Sequence, residues 1–180
     1  MTELIGKLGR NDFRLIRRDS FLIFMFVFVL LIGILLRYGL PWLNAYLADN
    51  GILPNETVQQ SMAHYYPLLV AFMALYQGSL ITGTIFGFML LDEKDDNTIK
   101  ALLVTPIPMS QYLLYRVGLP TMLAFCFILA LVLFINQALL PLWQLLPIVA
   151  GAALASPIAS LFFGIFAENK VQGFAYGKFV

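Results

Sequence analysis

The sequence is poor in charge. Of 180 residues, 12% are charged and 61% are hydrophobic. Soluble domains carry about 25% charged and about 45–50% apolar residues. No soluble fold of this size buries so much apolar side chain, so the chain is an integral membrane protein. The formal net charge is +1, which gives a nucleic-acid partner no electrostatic support. One cysteine, Cys126, excludes an internal disulfide. It lies in an apolar run and reads as a small buried hydrophobe.

The apolar runs are also almost free of ionisable groups. From Val117 to Ala167 only Cys126 can ionise, and from Tyr38 to Leu91, tyrosines aside, only Asp49, Glu56 and His64 can. Transporters driven by ion gradients carry their coupling charge on ionisable groups within the membrane, so active transport here would draw its energy from elsewhere. ATP bound by this chain is not that source. There is no G-x-x-x-x-G-K-[ST], and the pairs Gly6-Lys7 and Gly177-Lys178 lack the rest of it. A serine–histidine hydrolase would depend on His64, which sits at a membrane edge and reads as a polar cap. Asp92, Glu93, Asp95 and Asp96 offer hard oxygen ligands, but no second acidic cluster or glycine-rich turn completes a metal–phosphate site. No catalytic, cofactor-binding or metal-ligating residue is therefore assigned.

Long hydrophobic runs are present instead. A membrane-crossing helix needs about 20 mostly apolar residues, and four windows qualify: 20–40, 65–91, 111–136 and 142–167. None alternates polar and apolar residues as barrel strands do. The expected fold is an all-α polytopic membrane protein, one transmembrane domain over 1–180 with four transmembrane helices. Residues 1–20 are basic, and an uncharged run follows from Phe21 to Leu36. Bulky residues continue past Arg37 without a small-residue cleavage site, so the run reads as a retained anchor rather than a signal peptide.

Lysine and arginine set the orientation. Lys7, Arg10, Arg14, Arg17 and Arg18 precede the first window, and Lys94, Lys100 and Arg116 lie between the second and third windows or just inside the third. Lys170 and Lys178 follow the fourth, while 41–64 and the link NQALLP carry none. The N-terminus, the loop 92–110 and the tail 168–180 are expected in the cytoplasm of a cell-membrane protein. Arg37 is the exception, and it can snorkel to the outer interface. Leu4, Ile5, Leu8, Phe13, Leu15 and Ile16, interspersed with basic residues, make 1–19 an amphipathic interfacial helix suited to anionic lipid or to a partner.

Small residues recur at helical spacing. Ser79, Gly83 and Gly87 share one face of the second window. Ala152, Ser156, Ser160 and Gly164 share one face of the fourth, beside Gly151, Ala155 and Ala159. Such stripes allow close helix approach in lipid, within the chain or across a dimer seam. Pro67, Pro120, Pro147 and Pro157 can bend their helices. The sequon at 55–57 reads as a chance match.

One compact charged island interrupts the apolar chain: LLDEKDDNTIKALLVTPIPMSQYLL, residues 90–114. DEKDDN reads as a water-facing turn. Asn97 or Asp96 can cap a short helix there. Ile99, Leu102 and Leu103 fall at i, i+3 and i+4 and form one apolar face. Pro106 ends the helix, Pro108 keeps the chain extended, and Ser110 can cap the third span. This helix of about two turns, roughly 12 Å long, either rests on the membrane or plugs into a partner's groove.

The stretch Glu93-Lys94-Asp95-Asp96-Asn97-Thr98-Ile99 through Leu102, Leu103, Thr105 and Pro106 resembles the loop after the second span of type-2 ABC exporter permease subunits. In that family the loop runs Glu, a basic residue, two variable positions, Gly-Thr, leucines and Thr-Pro. Asn97 stands in place of the glycine, a mild departure, because asparagine is also tolerant of turns. The basic tail resembles the family's N-terminal elbow helix, and AENKVQGFAYGK at 167–178 resembles the segment after its fourth span. The resemblance implies a coupling helix on which a cytoplasmic ABC ATPase docks, with ATP and Mg bound by that partner, and a second permease copy or homologue completing an export path. It also implies that the chain is not itself an enzyme. Family members usually have six spans, so the four counted here are expected to be an N-terminal portion. Drugs and other hydrophobic small molecules are among the family's cargo, and nothing in the residues selects one. The alternative is a four-span membrane scaffold or assembly protein without transport activity. A lipid-modifying enzyme using the island acids is a third reading, which would show metal-dependent activity lost on substitution of Asp95 and Asp96.

Overall fold

The computed structural model of the chain describes residues 9–10, 12, 14–50, 65–96, 109–136 and 140–177. The described residues are all-α, with no strand among them. Among the described residues four helices are long and apolar enough to cross a membrane: α1 (Ser20–Asp49), α2 (Tyr65–Asp95), α3 (Met109–Ile135) and α4 (Leu142–Phe166). A short helix, α5 (Lys170–Tyr176), follows. Residues 14–18 before α1 are helical as well, with Leu15 and Ile16 packed towards the core while Arg14, Arg17 and Arg18 are exposed.

Several helix boundaries have a chemical cause. Asp19 has extended backbone, and its Oδ1 accepts from the N–H of Phe21 at 2.9 Å and of Leu22 at 3.4 Å, which caps α1. α1 runs to Asp49, nine residues past the window expected to end at 40. Pro41 has no N–H to offer the Arg37 carbonyl, and the helix widens there into a π-turn at Leu35–Gly39 instead of stopping. Asn136 ends α3 in the left-handed region at φ 53°, a conformation asparagine tolerates. Leu154 divides α4 into Leu142–Ala153 and Ala155–Phe166. Pro157, one turn later, cannot donate to the Ala153 carbonyl.

The core lies where the four helices face one another. Leu22 and Val29 of α1, Ile85 and Met89 of α2, Ile128 of α3, and Val149 and Phe163 of α4 are all buried. α2 and α4 make the tightest contact. A Cβ at Gly83 would lie 2.5 Å from the Ser156 carbonyl oxygen and 2.7 Å from the Ala159 Cβ, and one at Gly87 would lie 2.7 Å from the Phe163 ring. The two small-residue stripes thus bring these backbones together, with Ser79, Ser156 and Ser160 buried between helices, and with Ala152 and Gly164 half-buried at the margin. By contrast nothing lies within 4 Å of a Cβ at Gly151.

Outward faces stay apolar. Phe24, Leu31, Leu68, Met122 and Ile158 are exposed, as lipid-facing residues must be. Trp42, Tyr46, Tyr65 and Trp143, also exposed, cluster at one end of the bundle, where amphipathic rings suit a membrane interface. Cys126, expected inside, is exposed instead, since it falls on the outer face of α3.

Candidate functional site

The charged island begins inside the bundle. α2 continues through Asp92, Glu93, Lys94 and Asp95 before Asp96 ends it. The water-facing turn expected at these residues, and the loop start expected at 92, are corrected accordingly. The reason is that Asp92, Glu93 and Lys94 find partners on other elements.

Glu93 is buried at 5% exposure. Its Oε1 is paired with the Arg116 guanidinium of α3, and its Oε2 accepts from the Tyr112 hydroxyl at 2.8 Å. Arg116 is itself 2% exposed and also lies against Asp12 of the N-terminal stretch, with Nη1 to Oδ2 at 3.5 Å. The Tyr115 hydroxyl donates to the same Asp12 oxygen at 2.7 Å. Two carboxylates, one guanidinium and two phenols therefore sit in one dry cluster that joins three segments of the chain. One positive charge faces two negative ones, and the phenol donors disperse the excess. Arg116 Nε and Asp12 Oδ1 remain buried without a hydrogen-bond partner. The pattern Tyr112, Tyr115, Arg116, at helical spacing on the face opposite Glu93, was the signal in the sequence. The loop-by-loop count of basic residues uses Arg116 only as an orientation marker and does not pair it with a carboxylate.

A second charged junction lies beside the first. Lys170 of α5 reaches Asp19 Oδ2 at 2.8 Å and Asp92 Oδ1 at 2.9 Å, so one carboxylate both caps α1 and holds the segment after α4. Burial alone would raise the Asp19 carboxyl, but the hydrogen bonds from Lys170 and from the Phe21 and Leu22 amides hold it below its ordinary value. Burial alone would lower the Lys170 ammonium, and the hydrogen bonds to Asp19 and Asp92 outweigh it and raise it. Lys94 donates to the carbonyls of Ala167 at 2.9 Å and Gly164 at 3.4 Å, which places a cation at the C-terminal end of α4. Asn169 caps α5 through Gln172 N–H. Phe174 packs on Phe21 and Phe88, each at 4.7 Å between ring centroids, and Gly173 lies close against Leu91. The tail expected from 168 onward is thus a docked helix over 170–176.

Of the residues singled out in the sequence, the structure brings Glu93 and Lys94 into internal contacts and leaves Asp95 and Asp96 exposed. Asp96 lies at the C-terminal end of α2. Asn97, Thr98, Ile99, Leu102, Leu103, Thr105 and Pro106 lie outside the described residues. At the opposite end of the bundle Arg37 donates to the Phe134 carbonyl and stacks on the Phe134 ring, 4.8 Å from its centroid. Its charge meets the negative end of α3. Among the described residues no group of three or more His, Cys, Asp and Glu could hold a metal ion.

The family described as Fluoroquinolones export permease protein Rv2686c-like matches residues 12–180. Two relatives, both from Mycobacterium tuberculosis, are the Fluoroquinolones export permease protein Rv2686c of strain H37Rv and the Fluoroquinolones export permease protein MT2760 of strain CDC 1551. Each is 27% identical over 173 residues, a stretch covering 95% of this chain and 66% of the relative. No solved structure matches. The matched span takes in all four long helices, Asp12, Glu93 and Arg116 of the buried cluster, and the docked helix α5, and the chain belongs to the Rv2686c-like family of fluoroquinolones export permease proteins.

Proposed function

We propose that the chain is a membrane-spanning permease subunit of an ATP-driven type-2 ABC exporter, coupling a cytoplasmic ATPase to efflux of a hydrophobic small molecule. In this reading the end of the bundle bearing Asp19, Glu93 and Lys170 faces the cytoplasm, and the stretch 93–106 receives the ATPase. ATP and Mg belong to that partner. A second permease copy or homologue completes the path.

One observation carries the reading. Glu93 opens the segment that resembles a coupling loop, and it is tied through Arg116 to α3 and to the N-terminal stretch. A push on that segment would move three elements together, because a buried ion cluster breaks at high cost. The names of the relatives favour fluoroquinolones as the kind of cargo, which are small aromatic amphiphiles.

The test is a mild-detergent pull-down of the tagged chain from its host. An ATP-binding subunit should co-purify, and the double substitution Leu102→Asp/Leu103→Asp should lose it while membrane insertion is kept. Recovery of the chain alone, or only with itself, would favour the scaffold reading.

A further inference from the structure

A groove of about 510 Å³ runs along α2, between it, α1 and α5. At its charged-end floor the rings of Phe21, Phe88 and Phe174 pack on one another, with centroids 4.7–5.6 Å apart. At its other end stands Gln77, the last residue of a π-turn at Met73–Gln77. Eleven residues separate Gln77 from Phe88, which is about 16 Å along a helix. Thr84 lies between them, its hydroxyl spent as a donor on the Leu80 carbonyl but free to accept.

Gln77 is the anomaly. It is a half-buried primary amide in the middle of a membrane-spanning helix, and no described residue hydrogen-bonds its side chain. In lipid an unpaired amide is costly, and π-turns recur at functional sites because they re-aim one residue. Here Gln77 ends such a turn and lines the groove. Among the described residues the lining carries no charged side chain. An aromatic floor, an unspent amide and an unspent hydroxyl lone pair within about 16 Å match one ligand class: a planar aromatic compound carrying a carbonyl or hydroxyl.

We infer that this groove is a binding station for planar aromatic amphiphiles, in which Gln77 bonds the polar group and Phe21 and Phe174 contact the ring system. The inference deepens the export reading and rests on it for the movement of the ligand, though not for its binding.

The test uses the full chain in lipid nanodiscs, with ciprofloxacin as the probe, read by its own fluorescence. Gln77→Leu should weaken binding about tenfold with unchanged thermal melting, and Phe174→Leu should weaken it by a smaller factor. Absence of binding by the wild-type chain, or equal affinity in both variants, overturns the site. Leu80→Cys in a Cys126→Ser background should stay monomeric. A disulfide-linked dimer would assign the groove to a second copy and also overturn it. ATPase-dependent efflux from cells separates the two readings. Efflux that persists in Gln77→Leu with unchanged binding removes the site and leaves the exporter. Gln77-dependent binding without any efflux removes the exporter and leaves the site.

Discussion

Removing the charge of Arg116 should unfold the chain more readily than any surface substitution. In Arg116→Met the side-chain volume is nearly kept, but Asp12 and Glu93 lose their common counter-charge inside a dry cluster. Asp12 Oδ2 lies 3.5 Å from the guanidinium. At an effective dielectric of about 20 that attraction alone is about 5 kcal/mol, and desolvation offsets part of it. Deleting one partner of a buried ion cluster costs about 3–5 kcal/mol. For a domain of this length that corresponds to a fall of about 6–20 °C in Tm, measurable by scanning fluorimetry in detergent. The triple variant Asp12→Asn/Glu93→Gln/Arg116→Met removes every formal charge at once, and its stability should return close to wild type, since apolar or neutral replacement of a whole buried cluster is often neutral or stabilising. Its efflux should not return if the cluster carries movement. Equal melting of Arg116→Met and the wild type would refute the reasoning, because it would mean that water reaches these carboxylates.

Other outcomes follow from the same geometry. Tyr112→Phe should cost about 1–3 kcal/mol in melting experiments, since it leaves Glu93 Oε2 without its donor. Gly83→Val should destabilise by about 1–3 kcal/mol through collision with the Ser156 carbonyl, whereas Gly151→Ala, with nothing nearby, should melt like wild type. Docking of α5 should depend on pH at both extremes, as read by protease cleavage after residue 167. Asp19 titrates below its ordinary value, so its contribution is present above the unfolded value near 3.8 and is lost as pH falls through the lower folded value. Lys170 titrates above its ordinary value, so its contribution is present below the unfolded value near 10.5 and is lost as pH rises through the higher folded one. Protection should therefore hold across neutral pH and fail at both ends, and Lys170→Met should remove it throughout.

Composition and run length were sufficient for the fold class. Four apolar windows of spanning length leave helices as the only open structure that satisfies its backbone in lipid, and α2, α3 and α4 begin or end within a few residues of those windows. The small-residue stripes were also readable, since spacing by four places residues on one helix face whatever the surroundings. The sequence could not say which face met which. Only packing sets Gly83 on Ser156, and leaves Gly151 and Cys126 facing outward.

The charged residues divide along the same line. Their number and their loop-by-loop bias are properties of the chain, and they suffice to place an island between two spans. Whether a given acid is solvated or buried depends on what approaches it from elsewhere in the fold. Asp12 and Arg116 are 104 positions apart, Asp19 and Lys170 are 151 apart, and no periodicity links such pairs. The sequence determined that charge would gather at one end of a four-helix bundle. The tertiary structure alone decided that Glu93 turns inward onto Arg116, and that Lys170 closes over the cap of α1, because a buried charge is tolerated only where folding delivers its partner.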